Sequence, residues 1–140
     1  MRYKYITKIE IIFDKKKTLE GLLMKKSNNY SVKLPSRTRA VIIESYGCGN
    51  APSSEWFIDI VREAGARGKI LYNVTQCIRG LVNMDLYATG RALKDAGVLG
   101  GKDITTESAL GKLFFLMGNS DDNESVKAYL EYDLRGEMSN

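Results

Sequence analysis

The chain has 140 residues, 44% of them hydrophobic and 27% charged, with two prolines and thirteen glycines, the composition of one compact folded domain and not of a disordered or collagen-like chain. At this length about 68% of the unfolded chain's surface can be buried, so a core needs neither disulfides nor a structural metal. The absence of histidine excludes Ser-His-Asp triads, Cys-His pairs and histidine-ligated metals, and the net charge of +4 is uneven: eleven Lys and Arg face three Asp and Glu in residues 1–40, against ten and fourteen in residues 41–140.

Residues 2–13 alternate, with Tyr3, Tyr5, Thr7, Ile9, Ile11 and Phe13 on one face and mainly Arg2, Lys4, Lys8 and Glu10 on the other. That predicts a half-buried strand suited to a sheet edge. Leu19, Leu22 and Leu23 follow at helical spacing and predict a short amphipathic helix ending near Lys26. Ser27, Asn28 and Asn29 break that pattern, and the stretch to Arg39, with Pro35, reads as a loop holding a weak strand near residues 30–34.

The β-branched run Arg39-Ala40-Val41-Ile42-Ile43-Glu44-Ser45 predicts a central strand buried on both faces. It runs into the glycine turn Gly47-Cys48-Gly49. Asn50 suits the N-cap of the next helix and Pro52 its first turn, with Trp56, Phe57, Ile60, Val61 and Ala64 forming a stripe that stops at Gly68. A second buried strand is predicted over residues 69–74. After a loop at 80–83, Met84, Tyr87, Ala88, Ala92, Leu93 and Ala96 mark a helix ending at Gly97, and Val98-Leu99 suits a last short strand. Thr105 caps a helix carrying Ala109, Leu110, Leu113, Phe114, Leu116 and Met117 and closed by Gly118, and a final helix from about Asp122 buries Val126, Tyr129 and Leu130. Strands alternating with helices imply crossover connections. The expected fold is a small three-layer α/β domain, with a mostly parallel sheet of about four strands flanked by helices. Residues 1–38 lead into a unit spanning 39–140, the whole forming one structural domain.

Ligand sites of such sheets collect at the carboxyl ends of the strands. Two loops leave those ends, at 46–52 and 75–83. In the first, two glycines stand between a strand and a helix, and the residues leave open both a plain tight turn and a carboxylate or phosphate cradle. A dinucleotide fingerprint is not met, because its third glycine would fall at Pro52. The second loop opens on Asn73-Val74-Thr75-Gln76-Cys77, whose short polar groups either satisfy a turn or face the same crevice.

Cys48 and Cys77 read as reduced, small buried residues, since no histidine exists to activate a thiol and two cysteines make no disulfide framework. No complete catalytic set is found in the chain. No metal or cofactor is expected. The longest apolar runs fall far below the ~20 residues of a membrane helix, and the basic clusters Lys15-Lys16-Lys17 and Lys25-Lys26 come without a base-stacking motif. Neither a membrane nor a nucleic-acid partner is expected, and the compartment is read as the cytoplasm.

Several motifs stand together in order and spacing: Ser45-Tyr46-Gly47-Cys48-Gly49-Asn50-Ala51-Pro52, Asn73-Val74-Thr75-Gln76-Cys77, Gly80-Leu81-Val82-Asn83-Met84 with Tyr87-Ala88-Thr89-Gly90, Gly97-Val98-Leu99-Gly100-Gly101, and the terminal Asp133-Leu134-Arg135-Gly136-Glu137. From about Arg39 onward the chain resembles the C-terminal domain of the cytosolic, type I L-asparaginases. The resemblance implies an amidohydrolase that converts L-asparagine to L-aspartate and ammonia through a threonine nucleophile. It also implies that the catalytic threonines lie in a larger N-terminal domain with Thr-Gly-Gly-Thr-Ile and Thr-Asp-Thr motifs. Neither motif occurs here, so the chain reads as the smaller half alone, inactive by itself, with no catalytic residue of its own.

By the same resemblance Asn50 reaches towards a neighbouring subunit's substrate pocket. Asn50, Thr75 and Cys77 match positions that bind substrate or a regulatory asparagine, which makes L-asparagine, the missing catalytic domain and further copies of the chain the expected partners. Glu44 replaces a basic residue common in the family just before the Ser-Tyr-Gly run, and an anion there opposes binding of an amino-acid carboxylate. Residues 1–38 fit the family less well, because Phe13-Asp14-Lys15 stands where a Pro-Gly turn is usual. The alternatives are a related amidotransferase subunit feeding ammonia to aminoacyl-tRNA, against which Asn50-Ala51-Pro52 favours the asparaginase, and a non-catalytic amino-acid-binding or oligomerisation module.

Overall fold

The computed structural model describes residues 8–13, 17–20, 24–26, 29–31, 38–52 and 54–139, with side chains from Thr38 onward. Seven strands and four helices are described in chain order: β1 (Lys8–Phe13), β2 (Lys17–Glu20), β3 (Met24–Lys26), β4 (Asn29–Ser31), β5 (Thr38–Ser45), α1 (Glu55–Ala66), β6 (Ile70–Thr75), α2 (Ala88–Asp95), β7 (Leu99–Gly100), α3 (Thr106–Asn119) and α4 (Asn123–Leu130). The main sheet has the order β2-β1-β5-β6-β7, and β3 with β4 forms a separate two-stranded piece.

Two apolar strands lie at the centre because their residues are apolar on both faces. In β5 Ala40 and Ile42 face one core while Val41 and Ile43 face another, and in β6 Ile70, Tyr72 and Val74 oppose Leu71 in the same alternation. The core with Val41, Ile43 and Leu71 is covered by Phe57, Ile58, Val61 and Ala64 of α1 and Leu93 of α2. The opposite core is closed by Ala109, Leu113 and Met117 of α3 and Val126 and Leu130 of α4. The three expected layers are therefore present. Three strands, β5, β6 and β7, run parallel, one fewer than the approximate sequence count. The antiparallel pair β1 and β2 then extends the sheet beyond β5.

The helix predicted from Leu19, Leu22 and Leu23 is replaced by strands over Lys17–Glu20 and Met24–Lys26. The physical reason is pairing. With β5 on one side of β1, the other side offers a row of unpaired backbone groups, and β2 fills it with Ile11 opposite Leu19 and Ile12 opposite Thr18. β1 is accordingly not the sheet edge that its alternation suggested. Residues 2–7 of the first predicted strand and 32–34 of the weak one lie outside the described residues.

Local chemistry sets most other boundaries. Thr105 caps α3 by accepting from the Ser108 N–H, and Asp122 caps α4 by accepting from the N–H groups of Glu124 and Ser125. Gly97 takes φ +88° just after α2, where a side chain would be strained. Four expectations are corrected. α1 starts at Glu55 after Ser54, so Asn50 is not its cap and Pro52 precedes its first turn. α2 starts at Ala88, which leaves Met84 and Tyr87 in the preceding loop. α3 continues through Gly118 to Asn119. Tyr129 is 55% exposed, because only Val126 and Leu130 of α4 point inward. No helix of the described residues is long and apolar enough to cross a membrane.

Candidate functional site

The two loops foreseen at the carboxyl edge of the sheet are bonded to each other. Residues 46–50 close on themselves: the Tyr46 N–H donates to Asn50 O at 3.0 Å, and the Asn50 N–H returns to Tyr46 O at 2.9 Å. Gly47 and Gly49 turn the chain with φ of +55° and +100°. From the neighbouring strand the Thr75 hydroxyl donates to Gly47 O at 2.7 Å and accepts from the Cys77 N–H at 3.1 Å. The Asn73 carboxamide donates to Gly49 O at 3.1 Å, and the Asn83 N–H to Cys48 O at 2.9 Å. The packing leaves no slack. A Cβ on Gly49 would lie 2.9 Å from Val82 Cγ1, and one on Gly80 would lie 2.8 Å from both Cys77 Cβ and Thr75 Cγ2.

Asn50 stands at the end of this arrangement, half-buried, with Oδ1 accepting from the Thr89 hydroxyl of α2 at 2.9 Å. Its side chain therefore binds across 39 residues of sequence and does not cap the helix after it. Of the three residues singled out by resemblance, Thr75 and Cys77 are joined by a hydrogen bond, and Thr75 reaches the Asn50 loop through Gly47 O. Both cysteines are free and half-buried. Glu44, at the carboxyl end of β5, accepts from the Thr106 hydroxyl at 2.6 Å and through its backbone oxygen from Gln76 Nε2 at 2.9 Å. Its carboxylate thus faces the first residue of α3, where the helix dipole favours an anion.

Two participants were not singled out in the sequence, and a third, Asn73, was named only within the polar run 73–77. Thr89 was visible only as part of the Tyr-Ala-Thr-Gly run, and Thr106 only as the neighbour of a cap. Asn73 is wholly buried, and its Oδ1 has no hydrogen-bond partner among the described residues. A wholly buried asparagine in the middle of an apolar strand is the signal that marks it. An open cavity of about 790 Å³ borders the second loop, rimmed by Arg79, Asn83, Asp85, Lys94 and Asp103, and Asn50, Thr75 and Cys77 do not line it.

Residues 29–130, which include both loops of this edge, match a family model of the glutaminase/asparaginase C-terminal domain. The chain belongs to that family. It is 46% identical over 101 residues to L-asparaginase 1 of Escherichia coli K12, covering 72% of this chain and 30% of the relative. The crystal structure of L-asparaginase I from Vibrio cholerae superposes with a TM-score of 0.68 at 46% identity, over 73% of this chain and 31% of that one. A glutamyl-tRNA(Gln) amidotransferase component of Sulfolobus acidocaldarius is 34% identical over 106 residues, covering 76% of this chain and 23% of the relative. The amidotransferase reading is thus the weaker of the two. The chain spans about a third or less of the length of these relatives.

Proposed function

We propose that the chain is the C-terminal portion of a cytoplasmic, homo-oligomeric L-asparaginase, in which water and L-asparagine give L-aspartate and ammonia. Residues 39–140 form the unit that carries this role. The observation that carries the reading is the Asn50 loop: it is held from four sides by Thr75, Asn73, Asn83 and Thr89 at the edge of the sheet where ligands of α/β folds collect. Such anchoring suits a group that must meet a ligand in one orientation. The chain holds neither of the threonine motifs that the resemblance assigns to the nucleophile, so its part is to support the ligand and make subunit contacts. Asn50 donates to the bound amino acid, while Thr75 and Cys77 shape the loop behind it.

The test is calorimetric titration of L-asparagine into the purified chain, with L-aspartate and L-glutamine as controls and ammonia release followed in parallel. A saturable heat selective for L-asparagine, without ammonia, supports a ligand-supporting half. Ammonia release that survives stringent purification and tracks the chain refutes the assignment of the nucleophile elsewhere. No heat at all means that the ligand surface is completed only by another region or subunit, and Asn50→Ala in the assembled enzyme must then lower kcat/KM.

A further inference from the structure

We propose that Thr89 is a positioning residue: its hydroxyl turns the Asn50 carboxamide so that Nδ2 faces outward, making the 46–51 loop a hydrogen-bond donor surface that takes a carboxylate oxygen. The inference rests on the reading of Asn50 as a ligand contact and adds what presents it and which chemistry it meets.

The polar inventory of the loop is one-sided. All five carbonyl oxygens from Tyr46 to Asn50 are already engaged: Tyr46 O by the N–H groups of Gly49 and Asn50, Gly47 O by Thr75, Cys48 O by the Asn83 N–H, Gly49 O by Asn73, and Asn50 O by the Tyr46 N–H. Among the described residues the N–H groups of Gly47, Cys48 and Ala51 have no acceptor, and Asn50 Nδ2 has none either. What the loop has left to offer is donors. A group that satisfies donors without demanding any in return is an acceptor-only oxygen, as an ionised carboxylate supplies.

Asn50 joins this surface only if its amide is turned the right way. A free carboxamide presents oxygen and nitrogen with equal ease. Thr89 Oγ1 donates to Oδ1 at 2.9 Å and so holds the oxygen inward, whereas a flipped amide would hide Nδ2 as a donor to the same hydroxyl. The hydroxyl donates to Asn50 and not to the carbonyl one turn back, Asp85 O, which accepts instead from Arg91 Nη1 at 2.8 Å. Thr89 is itself held in place. A Cβ on the adjacent Gly90 would lie 2.6 Å from Met84 O, so the first turn of α2 rests directly on the loop backbone.

The experiment uses the full 140-residue chain, ¹⁵N-labelled, as wild type, Thr89→Val and Thr89→Ser. The Asn50 Nδ2 signal, assigned by its loss in Asn50→Ser, is read first without ligand. We expect a dispersed, ordered signal with solvent-exchanging protons in wild type and Thr89→Ser, and collapse towards random-coil shifts in Thr89→Val. L-Aspartate is then titrated. Both Nδ2 protons and the Gly47 and Cys48 amides shift in wild type and in Thr89→Ser, and Thr89→Val binds about threefold to tenfold more weakly, the effect of one side chain left to be ordered on binding. An unchanged Nδ2 signal in Thr89→Val, or an Nδ2 proton protected by Thr89 in wild type, overturns the proposal. So does equal affinity of all three chains. An ordered, Thr89-dependent Asn50 in a chain that binds neither L-aspartate nor L-asparagine upholds the positioning role and counts instead against the ligand reading of the whole site.

Discussion

Lys112 offers the sharpest test of what holds the C-terminal signature in place. Its side chain is 3% exposed, and its ammonium donates to Leu130 O at 3.1 Å, to Tyr132 O and to Met138 Sδ at 3.2 Å, and pairs with Glu137 Oε1 at 2.8 Å. Lys112→Met fills the same volume and removes all four contacts. Leu130 O keeps the Tyr72 hydroxyl at 3.0 Å and the Glu137 carboxylate keeps the Leu134 and Arg135 N–H groups, so Tyr132 O loses its donor and the carboxylate, only 14% exposed, loses its counter-charge. One unpaired carbonyl costs about 1–3 kcal/mol, and breaking a buried pair from one side costs about 3–5 kcal/mol in all. About 4 kcal/mol is expected, a large share of the roughly 5–15 kcal/mol available to a domain. With a urea slope of about 2 kcal/mol per molar, the midpoint falls by about 2 M. Trp56, the single tryptophan, reports unfolding by fluorescence. Glu137→Gln alone is milder, about 2 kcal/mol, because the ammonium keeps its neutral acceptors. The double variant is expected to lose less than the two singles together, by about 1–3 kcal/mol. Strict additivity, or a midpoint shift for Lys112→Met below about 0.3 M, refutes the reasoning.

The same region predicts an acid limb of stability. Burial opposes ionisation of Glu137, but the Lys112 ammonium and the Leu134 and Arg135 N–H groups hold its carboxyl well below the usual range. Bonds from Ser139 and from Ser125 lower Asp103 and Asp122 likewise. Groups depressed on folding stabilise fully above their ordinary values and lose that contribution as pH falls towards the folded values, so urea midpoints hold steady from pH 7 to about 5 and drop below it, less steeply in Glu137→Gln. Arg39→Met removes a guanidinium that donates to Asn123 Oδ1, Met117 O and Ser120 O at 2.8–3.3 Å. It is expected to cost about 2 kcal/mol, with amides at the α3–α4 corner losing exchange protection first. Gly90→Ala gains about 1 kcal/mol of helix propensity, but its Cβ meets Met84 O at 2.6 Å and Met84 Cα at 2.9 Å. Net destabilisation is expected in thermal melts, and a higher Tm contradicts the packing argument.

What was legible in the sequence is what short-range chemistry decides. The runs 39–45 and 69–74 are apolar on both faces and became β5 and β6; Thr105, Asp122 and Gly97 end or begin helices through their own side chains or lack of one. What was not legible depends on partners far along the chain. Leu19, Leu22 and Leu23 fit a helix until β1 offers an edge, and that edge is invisible from residues 17–26 alone. Lys112 reads as one more polar position of α3, yet its acceptors arrive 18–26 residues later. The site divides in the same way. Strand ends and glycines located its loops, whereas the roles of Asn73 and Thr89 depend on contacts 24 and 39 residues away.

Glu44 shows how a departure from a family pattern acquires a physical meaning. A basic residue at this position would lie against the first turn of α3, where a cation meets the positive end of the helix dipole. The carboxylate instead accepts from Thr106 Oγ1 at 2.6 Å. Exchanging it for arginine forfeits a charge-assisted bond and reverses the dipole interaction, together about 1.5–2 kcal/mol at a half-buried position. Glu44→Gln keeps an acceptor for Thr106 and should cost about 0.5 kcal/mol. The two variants separate structure from binding. Two unit negative charges ~10 Å apart in water repel by about 0.4 kcal/mol, so, for a carboxylate bound at the Asn50 loop at such a range, removing the Glu44 charge gives about a twofold gain in affinity. That gain should be visible at 10 mM salt and absent at 1 M, where the screening length is about 3 Å. Thermal melts decide the structural half: an arginine variant as stable as the wild type would show that the carboxylate and α3 are not energetically coupled. Salt-independent tightening in Glu44→Gln would show that the residue acts on the ligand through loop geometry and not through its charge.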